Sequence, residues 1–185
     1  MSKLEVKVTE ADHYRGSLNA PIVLVEYGDF ECPFCAIAYP EIEKLVTELG
    51  ENICFVFRHF PLPNIHHHAV LAAVSAEAAG RQGAFWQMHH LLFQNNENIS
   101  TQTIVALAQS LGLDMHKFRS DIESKDLLDK IQQDLIVGVR SGVDGTPGIF
   151  INGKHYQDKV TYDHMMFVIG KIFADQRGKH TGPNP

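Results

Sequence analysis

Between Ile22 and Leu49 the hydrophobic pattern changes period once, and the change falls on Cys32-Pro33-Phe34-Cys35. Ahead of it, Ile22-Val23-Leu24-Val25-Glu26-Tyr27 is an apolar, β-branched run of strand length. Behind it, Ala36-Ile37-Ala38-Tyr39 through Leu45-Val46 to Leu49 sets apolar residues at helical spacing, and Gly50 stands where helices end. The motif therefore sits where a strand hands over to a helix. Cys32 falls at the helix N-cap and Pro33 at the first helical position, where its missing N–H costs nothing. Unpaired N–H groups and the positive end of the helix dipole then face the sulfur of Cys32. A thiolate in such a setting titrates at roughly 3.5–7.5 instead of about 8.5. Cys35 follows one turn deeper, close enough to close a disulfide. A zinc site would need two more ligands at suitable spacing, and the chain offers only Cys54 and scattered histidines, with no second cysteine pair.

The same pattern reading extends along the chain. Leu4–Val8 alternates polar and apolar residues and predicts a short strand, and Ile53–His59 predicts another after the motif helix. Phe60-Pro61-Leu62-Pro63-Asn64 breaks regular structure. From His66 to Ser141 the period is helical throughout. Helices are predicted over Ala69–Ala79, Phe85–Phe93, Thr103–Leu111 behind Ser100 or Thr101, Met115–Ile122 behind Asp114, and Leu127–Val139. Strand character returns at Gly148-Ile149-Phe150-Ile151. Asn152-Gly153 is a hairpin signal, and Lys154-His155-Tyr156 is the returning strand. A last helix is predicted over Tyr162–Phe173, then a polar tail over 175–185.

The order is thus β, β, α, β, a helical block, then β, β, α. It resembles the thioredoxin fold with a helical insertion, an α/β class around a central mixed sheet, as in the DsbA-like branch. The likeness extends over Gly28-Asp29-Phe30-Glu31-Cys32-Pro33-Phe34-Cys35, Phe57-Arg58-His59-Phe60-Pro61-Leu62, Phe85-Trp86-Gln87-Met88-His89 and Gly145-Thr146-Pro147. The chain is also similar to the thioredoxin-like domains fused to bacterial sodium/proton antiporters, though it carries no antiporter-like segment itself. On this reading 1–64 and 142–174 make the thioredoxin-fold domain, 65–141 the inserted helical subdomain and 175–185 a flexible tail.

The resemblance implies a thiol–disulfide oxidoreductase, with Cys32 forming a mixed disulfide and Cys35 resolving it. Glu26 is out of character inside a buried strand. It stands where the family keeps a buried acid beneath the cysteines, which implies a proton relay to Cys35. Pairing with a cation such as Arg58 is the structural alternative. Thr146-Pro147 by itself reads as a turn. The family pattern makes it a cis peptide facing the cysteines, with Thr146 offering its backbone to an extended substrate. Pro33 and Phe34 shape the thiolate's surroundings. Phe34 stands where DsbA carries a histidine, so a milder oxidant than DsbA is expected. Gly148 replaces a bulkier residue expected after the proline.

Composition narrows the remaining choices. A net charge of −6, from 22 acidic against 16 basic residues and with no basic run, argues against nucleic acid and anionic membrane surfaces as partners. No apolar run reaches the roughly 18–20 residues that cross a bilayer. The N-terminus shows no signal-peptide pattern, so the chain as it stands is expected in the cytoplasm, or in the periplasm if a signal has been removed. Three cysteines exclude a structural disulfide framework, and Cys54, in a strand-like run, is expected as a small buried apolar residue. His66-His67-His68 point in different directions and are read as solvated or capping, and Trp86 as insert core. No metal and no cofactor beyond the Cys32–Cys35 disulfide is expected. Protein thiols and disulfides, or glutathione as co-substrate, are the expected partners. Two other classes fit less well. Glutathione-dependent transferases and isomerases of the kappa and hydroxychromene-carboxylate type share the architecture but carry a serine and no Cys35 equivalent. A chaperone-like binding module would be indifferent to Cys32→Ser.

Overall fold

Ile22–Gly28 forms β2, the strand on which the sheet is organised, with every residue but Val23 buried. The structure, a computed structural model, describes residues 2–180. β2 pairs parallel with β3 (Ile53–His59) and antiparallel with β4 (Gly148–Ile151). β1 (His13–Arg15) pairs antiparallel with the outer side of β3, and β5 (Lys154–Tyr156) with that of β4. The result is a mixed five-stranded sheet in the order β1-β3-β2-β4-β5. A right-handed crossover is the usual way to join parallel neighbours, and α1 (Pro33–Leu49) fills that link between β2 and β3. Five helices then follow between β3 and β4: α2 (Ala69–Gly80), α3 (Phe85–Gln94), α4 (Thr101–Ser110), α5 (Met115–Ile122) and α6 (Lys125–Arg140). α7 (Tyr162–His180) closes the chain.

The period of two in the strands divides the interior into two layers. Ile22, Leu24, Phe55, Phe57, Ile149 and Ile151 face α1, α7 and the helical block, where Ile42, Leu45, Met88, Phe118, Met165 and Ile169 meet them. Val25, Tyr27, Cys54, Val56 and Phe150 face the other way, against Val137 of α6 and Leu4 and Val8 of the N-terminal segment. Cys54 is fully buried there, as expected of an apolar side chain. The caps of α4 and α5 are those predicted. Ser100 Oγ accepts from Thr103 N at 3.1 Å, and Asp114 Oδ1 accepts from His116 N at 2.9 Å and Lys117 N at 3.0 Å.

α2 is tied to the sheet by a buried carboxylate. Glu77 Oε1 lies 2.9 Å from Nε2 of His13 on β1, 2.9 Å from Nε2 of His59 on β3, and 2.8 Å from Nζ of Lys130 on α6. Burial alone would raise the pKa of Glu77, but the two histidines and the lysine outweigh it and hold the group well below the ordinary carboxylate range.

Two expectations are corrected. Leu4–Val8 is no strand: among the described residues the N-terminal segment makes one isolated β-bridge, from Lys3 to Lys154. The carbonyls of Val6 and Lys7 instead accept from the Arg58 guanidinium, at 3.0 and 3.3 Å. The first strand is His13–Arg15, which has no apolar alternation to announce it. The last helix also runs to His180 through residues placed in a tail; residues 181–185 of that tail lie outside the described residues. The space opposite Gly148 is filled by Val143, whose Cγ1 would lie 2.8 Å from an added Cβ, so a bulkier residue does not fit.

Candidate active site

The turn from β2 into α1 is built by Asp29. Its carbonyl accepts from Cys32 N at 3.1 Å and its Oδ1 from Glu31 N at 2.9 Å. Cys32 then takes the N-cap position in an extended conformation (φ −71°, ψ 120°) with Pro33 at the first helical position. Both sulfurs are free thiols, and Cys32 and Cys35 approach to 3.9 Å. Cys32 keeps 3% of its surface exposed and Cys35 none, so the sulfur at the helix end is the one that reaches the surface.

The two thiols are driven apart in acidity. Hydrogen bonding from Cys35, together with the Thr146 side chain and the backbone N–H groups of Cys35 and Phe34, brings Cys32 down to about 5 despite partial burial. Burial, the hydrogen bond given to Cys32 and the charge of Glu26 push Cys35 well above an ordinary thiol. Thr146 lies across the cleft from α1. The Sγ–H of Cys32 donates to the Thr146 carbonyl at 3.4 Å, and the Thr146–Pro147 peptide is cis. The Thr146 hydroxyl is buried without a partner while Cys32 is a thiol, so a donor stands ready for the anion.

Glu26 lies on the α1 face of the sheet, in register with Phe57 on β3 and Ile149 on β4. It is 1% exposed and its Oε1 has no hydrogen-bond partner. Burial first, then the negative charges of Cys32 and Glu43, raise its pKa to about 8. Pairing with Arg58 does not occur. Arg58 stands in register with Tyr27, on the opposite face, and its Nε donates to Asp12 Oδ1 at 2.8 Å and its Nη1 to the Tyr27 hydroxyl at 3.0 Å. Period-two alternation alone separates the two groups.

Pro33 and Phe34 are exposed on the first turn of α1, Phe34 at 68%, with Ile37 at 67% one turn on. They form an apolar rim beside the sulfur. The histidines of 66–68 are only in part what the sequence suggested. His67 is exposed, but His66 Nδ1 lies 2.8 Å from Asp29 Oδ2 and His68 Nδ1 3.1 Å from Glu31 Oε1. Asp29 and Glu31 are thus both engaged by the loop after β3. The two-residue spacing shared by Asp29/Glu31 and His66/His68 was the available signal. Trp86 packs in the insert core, as expected, with Arg15 stacked on it at 4.8 Å from the ring.

Comparison with known proteins gives the family and the fold. The family described as Thioredoxin matches residues 8–171. The Na(+)/H(+) antiporter NhaA 1 of Salinispora arenicola is 38% identical over 168 residues, covering 91% of this chain and 26% of the antiporter. The chain thus spans about a quarter of the length of the curated relatives it matches. Among the described residues no helix is long and apolar enough to cross a membrane. Of solved structures, alpha-DsbA1 of Wolbachia pipientis superposes with a TM-score of 0.78 at 21% identity, covering 93% of this chain and 96% of that one. Oxidised BdbD of Bacillus subtilis gives 0.75 at 20% identity, covering 87% and 92%. Both are likenesses of fold.

Proposed function

The chain belongs to the thioredoxin family, and from that premise we propose that it is a thiol–disulfide oxidoreductase, with Cys32 as the exchanging sulfur and Cys35 as the resolving one. The observation that carries the reading is the pairing of an acid thiol at the end of α1 with a buried, weakly acid thiol 3.9 Å away. In the reducing direction the Cys32 thiolate attacks a client disulfide. One client sulfur leaves as a thiolate and takes up a proton, and the other stays bound to Cys32. In the mixed disulfide Cys32 carries no charge, which removes one cause of the raised Glu26 pKa. The ionised form of Glu26 then takes the proton of Cys35, which attacks the Cys32 sulfur, expelling the second client thiolate and leaving the Cys32–Cys35 disulfide. Run backwards, the same steps oxidise a client dithiol. The Thr146 carbonyl and the apolar rim of Pro33 and Phe34 suit an extended polypeptide, which makes protein thiols and disulfides the proposed clients.

Cys32 is set to attack and to leave readily at neutral pH, and it is less acid than the roughly 3.5 of DsbA. A reduction potential below about −120 mV is therefore expected from the glutathione equilibrium. The direct test is client exchange. Cys32→Ser should abolish both reduction of an insulin disulfide and disulfide transfer to a reduced, unfolded protein. Cys35→Ala should leave covalent adducts on Cys32. Full activity in Cys32→Ser would contradict the proposal.

A further inference from the structure

Asn96 brings the helical insert to the backbone at the head of α1. It opens the 3-10 turn Asn96–Asn98 between α3 and α4, and its Nδ2 donates to the carbonyl of Phe30 at 2.5 Å and to that of Cys32 at 3.3 Å. Two features of the turn give these bonds weight. The N-cap residue Cys32 offers its helix a sulfur in place of the usual capping oxygen, a soft acceptor for the Phe34 and Cys35 N–H groups that holds the first turn only weakly. The N–H groups of Glu31 and Cys32 are both held by Asp29, while the Phe30 carbonyl is gripped from the insert and the Cys32 carbonyl is shared between Ala36 N of α1, at 3.1 Å, and Asn96.

We propose that Asn96 is a positioning residue for the dithiol: by clamping the Phe30 and Cys32 carbonyls it sets the aim of the Phe34 and Cys35 N–H groups at the Cys32 sulfur. This rests on the reading of Cys32 as the exchanging nucleophile. A thiolate is a diffuse acceptor, and its stabilisation depends on how squarely those N–H groups point at it. A turn released from Asn96 loses its tie to the insert, and the Phe30–Cys32 segment is then free to shift against the first turn of α1. The insert, by this account, covers the sheet and also tunes the acidity of the sulfur through one amide.

The test uses the full chain and reads the ultraviolet absorbance of the Cys32 thiolate against pH, with iodoacetamide reactivity as a second readout. Asn96→Ala should weaken the acid dissociation of Cys32 about three- to tenfold, the share of a charge-assisted hydrogen bond that misaiming forfeits. Asn96→Asp keeps the shape but turns a carboxylate toward two carbonyls and a thiolate, and should weaken it further. Asn96→Ser, which retains one donor, serves if either variant fails to fold, and should fall between the wild type and alanine. Variants that lower the melting temperature while Cys32 titrates as in the wild type would overturn the proposal. A wild-type Cys32 with ordinary thiol acidity would overturn the underlying reading, and this one with it.

Discussion

Glu26 and Glu77 are both buried, at 1% and 4% exposure, and the fold treats them in opposite ways. Glu77 meets three basic side chains drawn from β1, β3 and α6 and stays ionised. Glu26 has Oε1 unpartnered, lies near the Cys32 sulfur and Glu43, and holds its proton to about 8. The first is a structural weld between insert and sheet. The second costs stability at neutral pH and is retained beneath a dithiol that needs a proton acceptor. What separates a joint from a working acid in this molecule is the company it keeps, since depth of burial is the same.

Substitution should expose the contrast. Glu77→Gln leaves His13, His59 and Lys130 around a neutral amide and should cost about 3–5 kcal/mol in urea unfolding at pH 7. Because the folded pKa of Glu77 is depressed, its contribution is present above the unfolded value near 4.5 and fades as pH falls below it. The difference between Glu77→Gln and wild type should therefore shrink in acid. Glu26→Gln should do the reverse. With a folded pKa of about 8 against 4.5 unfolded, Glu26 is neutral for free in acid and increasingly costly between those values. The variant should gain about 2–4 kcal/mol over the reduced wild type at pH 8 and nothing below pH ~4.5. Equal effects of the two substitutions at pH 8 would dissolve the comparison.

Smaller effects sharpen it. Glu26→Gln should also slow release of a mixed disulfide from Cys32 by about tenfold or more at pH 7, since Cys35 loses its proton acceptor. Stopped-flow thiol release would show this, while first attack by Cys32 stays near the wild-type rate. Thr146→Val removes the hydroxyl beside the sulfur and should raise the Cys32 pKa by about one unit, read by iodoacetamide kinetics against pH. At the far end, Asp126→Asn in the exposed pair with Arg81 should change stability by less than about 0.5 kcal/mol. That pair is water-screened, unlike either buried glutamate.

The site was legible where it depended on local pattern. The change of period at Cys32 located the end of β2, the N-cap and the first turn of α1, and the hairpin signal at Asn152-Gly153 located β4 and β5. It was illegible where it depended on contacts between distant segments. β1 is a single tyrosine between two basic residues, and its strand identity comes from pairing with Phe55–Phe57. Whether Glu26 meets Arg58 is decided by strand parity across β2 and β3, which needs the register. Glu77 left a trace, a lone acid in the Ala-rich run Ala76-Glu77-Ala78-Ala79, but its three partners come from three elements. Asn96 left none, because a polar residue in a turn between helices looks like any other.

Thiolate absorbance of the reduced wild-type protein, followed from about pH 3 to pH 10, tests the central claim most directly. One thiolate should appear with a midpoint near 5, the value held by Cys32, and should vanish in Cys32→Ser while Cys35 and Cys54 stay protonated through neutrality. A first midpoint near the ordinary thiol value of about 8.5, unchanged by Cys32→Ser, would contradict it.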